Sequence, residues 1–270
     1  LHECRPTSRP VTRRTPPLSD VATARPSSTV VLAREAAAAP ELLLVRRHER
    51  SAFGGAHAFP GGVLEAADSR IADYCMGITA VDADALLNVD RGLDYFSAAV
   101  RELFEETGVL LATLGRPGVD LDAARDALND GKLDWRSFVV DNEVQLHCDA
   151  LHYFSFWITP QALPRRFSTR FFLAAMPDDQ DAAHCGGELT DSCWMTARDA
   201  LAAARSGEIS LHFPTMRTLE SLADCNALDA LIEWAESRAR AGVPCIFPAI
   251  EKRGGEARVI VAGRDSGVLE

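Results

Sequence analysis

Residues 101–108 read R-E-L-F-E-E-T-G, and three of these eight are glutamates: Glu102, Glu105 and Glu106. On an α-helix, positions three and four apart share a face, so the three carboxylates project together. Val100, Leu103 and Phe104 leave that face toward a core or its edge. Carboxylates placed this way repel and raise one another's pKa unless a cation neutralises them. Their oxygens are hard donors, which suit Mg²⁺ or Mn²⁺ better than zinc. The neighbouring Arg101 can pair with one carboxylate and fix its rotamer. A glutamate-rich helix is nevertheless most often a solvated face, so this run needs a second signal.

That signal is the stretch F-P-G-G-V-L-E-A-A-D, Phe59 to Asp68. Its paired glycines, Gly61 and Gly62, let backbone approach a ligand or another element closely. Together the two stretches resemble the Nudix box, G-x5-E-x7-R-E-U-x-E-E-x-G-U, where U is a bulky apolar residue. Gly62 takes the first position, and Asp68 stands where that family usually has Glu. Arg101 through Val109 match each fixed position of the second half. The departure is the spacer, because 32 residues separate Asp68 from Arg101 in place of the pattern's x7.

The resemblance implies a Nudix fold that hydrolyses a nucleoside diphosphate linked to another moiety. Glu102, Glu105 and Glu106 would then hold Mg²⁺ or Mn²⁺, with Arg101 as an orienting residue. The long spacer, "WITP" (Trp157–Pro160) and "PRRFSTRFFLA" resemble a long-insert subgroup of the family that includes peroxisomal-type coenzyme A diphosphatases. In that reading Glu188, six residues before Trp194, is a further metal or substrate ligand; a surface turn residue is the equal alternative. Gly61, Gly62, Arg47 and Arg170 are the substrate-binding candidates. For Arg170, a strand-edge arginine paired with an acid is the competing reading. Arg46 and Arg47 fit part of a coenzyme A signature, but Ser51 occupies the place of its second arginine. The expected substrate is coenzyme A or an acyl-CoA. ADP-ribose or a dinucleotide is the alternative, and a non-catalytic metabolite-sensing Nudix domain is the reading from a different class.

Bulk composition sets the outer limits. The 270 residues are 47% hydrophobic and 25% charged, which is ordinary globular composition. A formal net charge of −11 argues against a duplex nucleic acid partner, whose surface calls for a basic protein. Seven scattered cysteines, none spaced C-x-x-C, are expected to be reduced thiols rather than a disulfide framework or zinc ribbon. With no apolar run long enough to cross a bilayer and no export signal, a cytoplasmic protein with no membrane partner is expected. The reading is compatible with a homodimer.

The elements that must position the carboxylates follow from local pattern. Residues 1–27 are rich in Pro, Ser, Thr and Arg and are expected to form a disordered tail. A single Nudix domain is expected over 28–250, with 69–96 as the insert and 251–270 as a C-terminal extension. Strands are expected at Ser28–Glu35 and Glu41–His48, antiparallel, followed by the glycine-rich loop. The carboxylate helix should start near Ala98 and stop at Gly108. Two short helices around Gly131, two aromatic-rich strands, a third near Cys193, a helix capped by Thr196, one opened by Pro214 and one over Leu228–Arg240 follow. "ARVIVAG" adds one strand. The sum is an α+β fold, an α/β/α sandwich. The insert is expected to flank the site and shape substrate entry.

Overall fold

The computed structural model describes residues 21–47, 55–182, 189–253, 256–261 and 264–268. β1 (Arg25–Arg34) and β2 (Glu41–Arg47) pair antiparallel. Val30 to Ala33 are fully buried, so this strand is covered on both faces and its sequence reads as a continuous apolar run. It begins ahead of Ser28 because Arg25, Pro26 and Ser27 pair through backbone with Phe167, Ser168 and Thr169, which needs no apolar side chain.

β3 (His57–Ala58) and β4 (Gly61–Val63) lay the F-P-G-G segment against β2 and β1. Then come β5 (Cys75–Met76), α1 (Ala80–Leu87) and α2 (Gly92–Thr107), the last carrying the carboxylates. α2 starts before Ala98 because Gly92 lets α1 pass unusually close. A Cβ at Gly92 would stand 2.4 Å from the Ala83 carbonyl. The helix ends as expected, at a left-handed Gly108 whose N–H donates to the Phe104 carbonyl.

β6 (Ala112–Thr113), α3 (Leu121–Asn129), α4 (Trp135–Asp141) and β7 (Gln145–His147) follow. α3 and α4 are the short helices expected around Gly131, capped by Asp120 and Asp134. β8 (His152–Ile158), β9 (Phe167–Ala175) and β10 (Leu189–Thr196) are the next strands. α5 (Ala197–Ser206) is capped by Thr196, α6 (Phe213–Leu222) has Pro214 in its first turn, and α7 (Leu228–Ala241) follows. The chain then adds β11 (Cys245–Ile246), β12 (Ala249–Arg253), β13 (Glu256–Val261) and β14 (Arg264–Val268). Where one strand was expected, β12, β13 and β14 form an antiparallel sheet of three.

The main sheet runs β10-β2-β1-β9-β8-β11, with β1 and β9 parallel. α2 packs on one face, where Phe96 meets Phe172 at 4.9 Å and Phe104 stacks on Phe138 at 5.7 Å. α5, α6 and α7 cover the other, through Leu201, Leu219, Leu231 and Ala235. This is the expected α/β/α sandwich. Among the described residues no helix is long and apolar enough to cross a membrane. The described cysteines are all free thiols.

Candidate active site

Arg101 is the hub of the site. Its Nε and Nη2 donate to Asp68 Oδ1 and Oδ2 at 2.8 and 3.1 Å, and Nη2 also reaches the Val63 carbonyl at 2.9 Å. Nη1 donates to Glu102 Oε1 at 3.0 Å and Glu105 Oε2 at 2.9 Å. One planar cation thus binds the first half of the motif to two carboxylates of the second. Asp68 takes the short side chain because it does two jobs. It accepts the Glu65 N–H at 2.7 Å, closing a reciprocal cap on the 3₁₀ turn Ala66–Asp68, and still meets Arg101.

The glycines explain how helix and loop approach. A Cβ on Gly62 would lie 2.3 Å from Glu102 Oε1, so that carboxylate occupies the space a side chain would fill. Gly61 has φ +152°, and a Cβ there would stand 2.3 Å from the Ser28 carbonyl. Its N–H donates to Glu106 Oε2 at 2.8 Å. Glu106 is therefore turned to the loop, whereas Glu102 and Glu105 are turned to Arg101.

Three carboxylates, Asp68, Glu102 and Glu105, surround this single guanidinium, and Glu106 lies next to them on the loop side. Burial works against the Arg101 charge, but Glu102, Asp68 and Glu105 more than offset it and hold its pKa above the ordinary value. Burial of Glu102, opposed by Arg101 and reinforced by Glu106 and Glu105, pushes its pKa up to about 8. Burial also raises Glu105 and Asp68. An excess of hard oxygen donors whose charge is not locally balanced suits a hard divalent cation. Among the described residues no three acidic, histidine or cysteine side chains form a closed metal cage. The reason is visible: Glu102 and Glu105 are drawn to Arg101 while Glu106 faces Gly61.

On the other side of Gly61 and Gly62 lies a cavity of about 330 Å³. Phe59, Trp157, Phe167, Phe171 and Phe213 form much of its wall, and Thr29, Thr169 and His212 are among its few polar groups. The loop backbone is thus a thin partition between the carboxylates and an apolar chamber.

The remaining candidates fall in different places. Arg170 is buried, lies 3.7 Å from the Phe156 ring centroid and 4.8 Å from that of Tyr95, and donates to the Leu87 carbonyl at 3.3 Å. It points to the α2 face, away from the cavity, and ties the insert to β9. Arg47 ends β2 opposite Leu189. Glu188 lies outside the described residues. Among the described residues, none of the cavity lining comes from 69–96. Ile71, Ala83, Leu87, Leu93 and Phe96 are instead core residues packed with Leu103 and Phe104. Sequence reasoning missed Ile250 and Val259, which line the cavity from far along the chain with no motif to mark them.

Comparison with known proteins bears on these two half-motifs. The family profile for the NUDT19 Nudix domain matches residues 80–222, a span that includes Arg101 and all three glutamates. The chain belongs to this Nudix family. The match begins after Gly62 and Asp68, so the first half of the box rests on the geometry above. The human acyl-coenzyme A diphosphatase NUDT19 is 29% identical over 259 residues, 77% of this chain and 67% of its own length. Its chicken (Gallus gallus) counterpart is 29% identical over 251 residues, 75% of this chain and 66% of its own length. A protein of Caenorhabditis elegans named as a nudix hydrolase is 27% identical over 177 residues, 63% of this chain. This Nudix chain spans about half the length of the worm relative and about two thirds of the vertebrate ones. A crystal structure of a NUDIX hydrolase from Alicyclobacillus acidocaldarius matches with a TM-score of 0.66 at 26% identity, covering 78% of this chain and 96% of that one.

Proposed function

We propose that this chain hydrolyses the pyrophosphate bond of coenzyme A or an acyl-CoA, dependent on Mg²⁺ or Mn²⁺. The observation that carries the reading is the partition at Gly61 and Gly62. It sets a carboxylate cluster, suited to the charged centre of such a substrate, directly against an apolar cavity suited to its uncharged arm. The relatives named acyl-coenzyme A diphosphatase support the substrate class.

Glu102, Glu105 and Glu106 are the residues that would hold the cation, which when bound offsets the pyrophosphate charge and acidifies the attacking water. Arg101 acts by position, since it fixes the rotamers of Glu102 and Glu105 and carries no proton in the reaction. The Gly61 N–H orients Glu106 in the same way. Glu188 as a metal or substrate ligand, and Arg47 as a substrate-binding residue, are assigned by the family resemblance alone.

The test is a screen of coenzyme A, acyl-CoAs, ADP-ribose, NADH and diadenosine polyphosphates with Mg²⁺ and with Mn²⁺. Release of 4′-phosphopantetheine, or its acyl form, with 3′,5′-ADP is expected. Preference for ADP-ribose or a dinucleotide would move the substrate assignment, and tight metabolite binding without turnover would favour a sensor.

A further inference from the structure

The cavity behind the glycine partition has a wall that the main body does not supply. Pro248, Ile250 and Val259 close it from the C-terminal segment. Ile250 and Val259 are direct cross-strand partners in the β12–β13 pair, so their side chains share one face. Val259 is only 4% exposed, and Val261 on the same strand packs into the core beneath α5, α6 and α7. The hairpin is thus seated on the domain, with one apolar face turned to the chamber.

The lining also says which part of a substrate fits. Among the described residues that line it, none is Lys, Arg, Asp or Glu. A terminal phosphate buried there would lack a counter-charge and would be costly to desolvate. An uncharged chain loses nothing by entering, and gains by leaving water. The chamber is at the small end of ligand-pocket volumes, large enough for part of a drug-sized arm but not for a whole nucleotide conjugate.

Resting on the reading above, we propose that the β12–β13 hairpin is the specificity wall of this enzyme. Ile250 and Val259 form the stop against which the acyl end of an acyl-CoA packs, and they set the acyl length that is accepted. The pyrophosphate lies on the carboxylate side of Gly61 and Gly62, and the acyl-bearing arm passes the loop into the chamber. Specificity for the leaving arm is therefore built far from the Nudix box, in a segment that contributes nothing to the carboxylate cluster.

The test compares the full chain with Ile250→Trp and Ile250→Ala, using free coenzyme A, acetyl-CoA, octanoyl-CoA and palmitoyl-CoA. The quantity read is the ratio of kcat/KM for each acyl-CoA to that for free coenzyme A. Ile250→Trp is expected to lower the ratio for palmitoyl-CoA by about tenfold or more, the discrimination a methylene-scale change in a hydrophobic pocket gives. Ile250→Ala is expected to move the preference toward longer chains. Ratios unchanged within about twofold in both variants, or moved in the same direction, would overturn the proposal. Losses equal for free coenzyme A and all acyl forms would also overturn it, because the chamber would then hold a group common to all of them, such as the adenine. Calorimetric binding of the same ligands in the presence of a chelator provides a readout independent of turnover. A wild-type chain that hydrolyses no coenzyme A species would sink the proposed function, while the binding ratios would still decide the role of the wall.

Discussion

Asp68 grips Arg101 with both of its carboxylate oxygens, and the two side chains are 0% and 3% exposed. This pair rivets the first half of an interrupted motif to the second across 32 intervening residues. Removing one partner of a buried pair leaves the other charge stranded, which typically costs about 3–5 kcal/mol. Asp68→Ala is expected to lose stability on that scale in denaturant unfolding. Asp68→Glu, which restores the usual family residue, is expected to cost about 1–3 kcal/mol by overpacking a site that also caps a 3₁₀ turn. An Asp68→Glu chain as stable as wild type would show that the pocket has slack the geometry does not reveal.

Gly62→Ala should separate fold from catalysis. The added methyl must displace the Glu102 carboxylate, a flexible side-chain end, so the sheet is expected to survive with thermal stability close to wild type. Turnover is expected to fall by about a hundredfold, as misplacement of a positioned group by about 1 Å commonly does. Circular dichroism with steady-state kinetics checks both halves of the statement.

Charge-neutral substitutions test the cation assignment. Glu105→Gln and Glu106→Gln are each expected to abolish measurable turnover while keeping the helix, which is buried along its other faces. Unchanged hydrolysis in both would refute the role of these carboxylates in holding a metal.

Glu102 gives a pH signature with a definite sign. Its folded pKa of about 8 exceeds the unfolded value of about 4.3, so between these the folded chain holds a proton the unfolded chain has released. Its contribution to stability is fully present below the lower value and is lost as pH rises through about 8. With metal chelated, the melting temperature of wild type should fall more between those limits than that of Glu102→Gln. Mg²⁺ should restore wild type at the alkaline end and do little for the variant. Equal pH dependence in the two chains would show that Glu102 is not the titrating group.

Leu87→Ala probes the insert. The side chain is 2% exposed in the core shared with α2, so truncation should cost about 2–5 kcal/mol. A loss below about 1 kcal/mol in urea unfolding would return the insert to the role of a surface flap.

The sequence made the carboxylate helix legible because its requirements are local. Glutamate spacing, the arginine and the terminating Gly108 all lie within one stretch, and each constrains the next through helical geometry. The α/β/α layering was legible for the same reason, since helices carry their own period and buried strands such as β1 their own apolar run. What could not be read depends on partners distant in the chain. Gly92 opens α2 where Ala83 passes beside it and Asp84 accepts its N–H, and that crossing has no local mark. Arg170, read as a phosphate ligand or edge residue, lies between two aromatic rings on a face that alternation along β9 alone does not assign. Ile250 and Val259 are ordinary apolar strand residues until the hairpin folds back over the cavity.

The parallel pairing of β1 with β9 has a consequence for the order of assembly. Nine backbone pairs join Arg25–Ala33 to Phe167–Ala175, and Ser27 meets Thr169 across 142 residues of chain. During synthesis this buried strand therefore emerges long before its parallel neighbour. Until β9 appears, one edge of β1 is an open template in the nascent chain, and non-local closure of this kind is slow and prone to aggregation. The helix with its carboxylates is translated inside that interval, so the carboxylate cluster is made before the sheet that must support it can close. Truncation of a β9 side chain that faces α2 and not the cavity, such as Phe172, should therefore act first on the yield of folded protein.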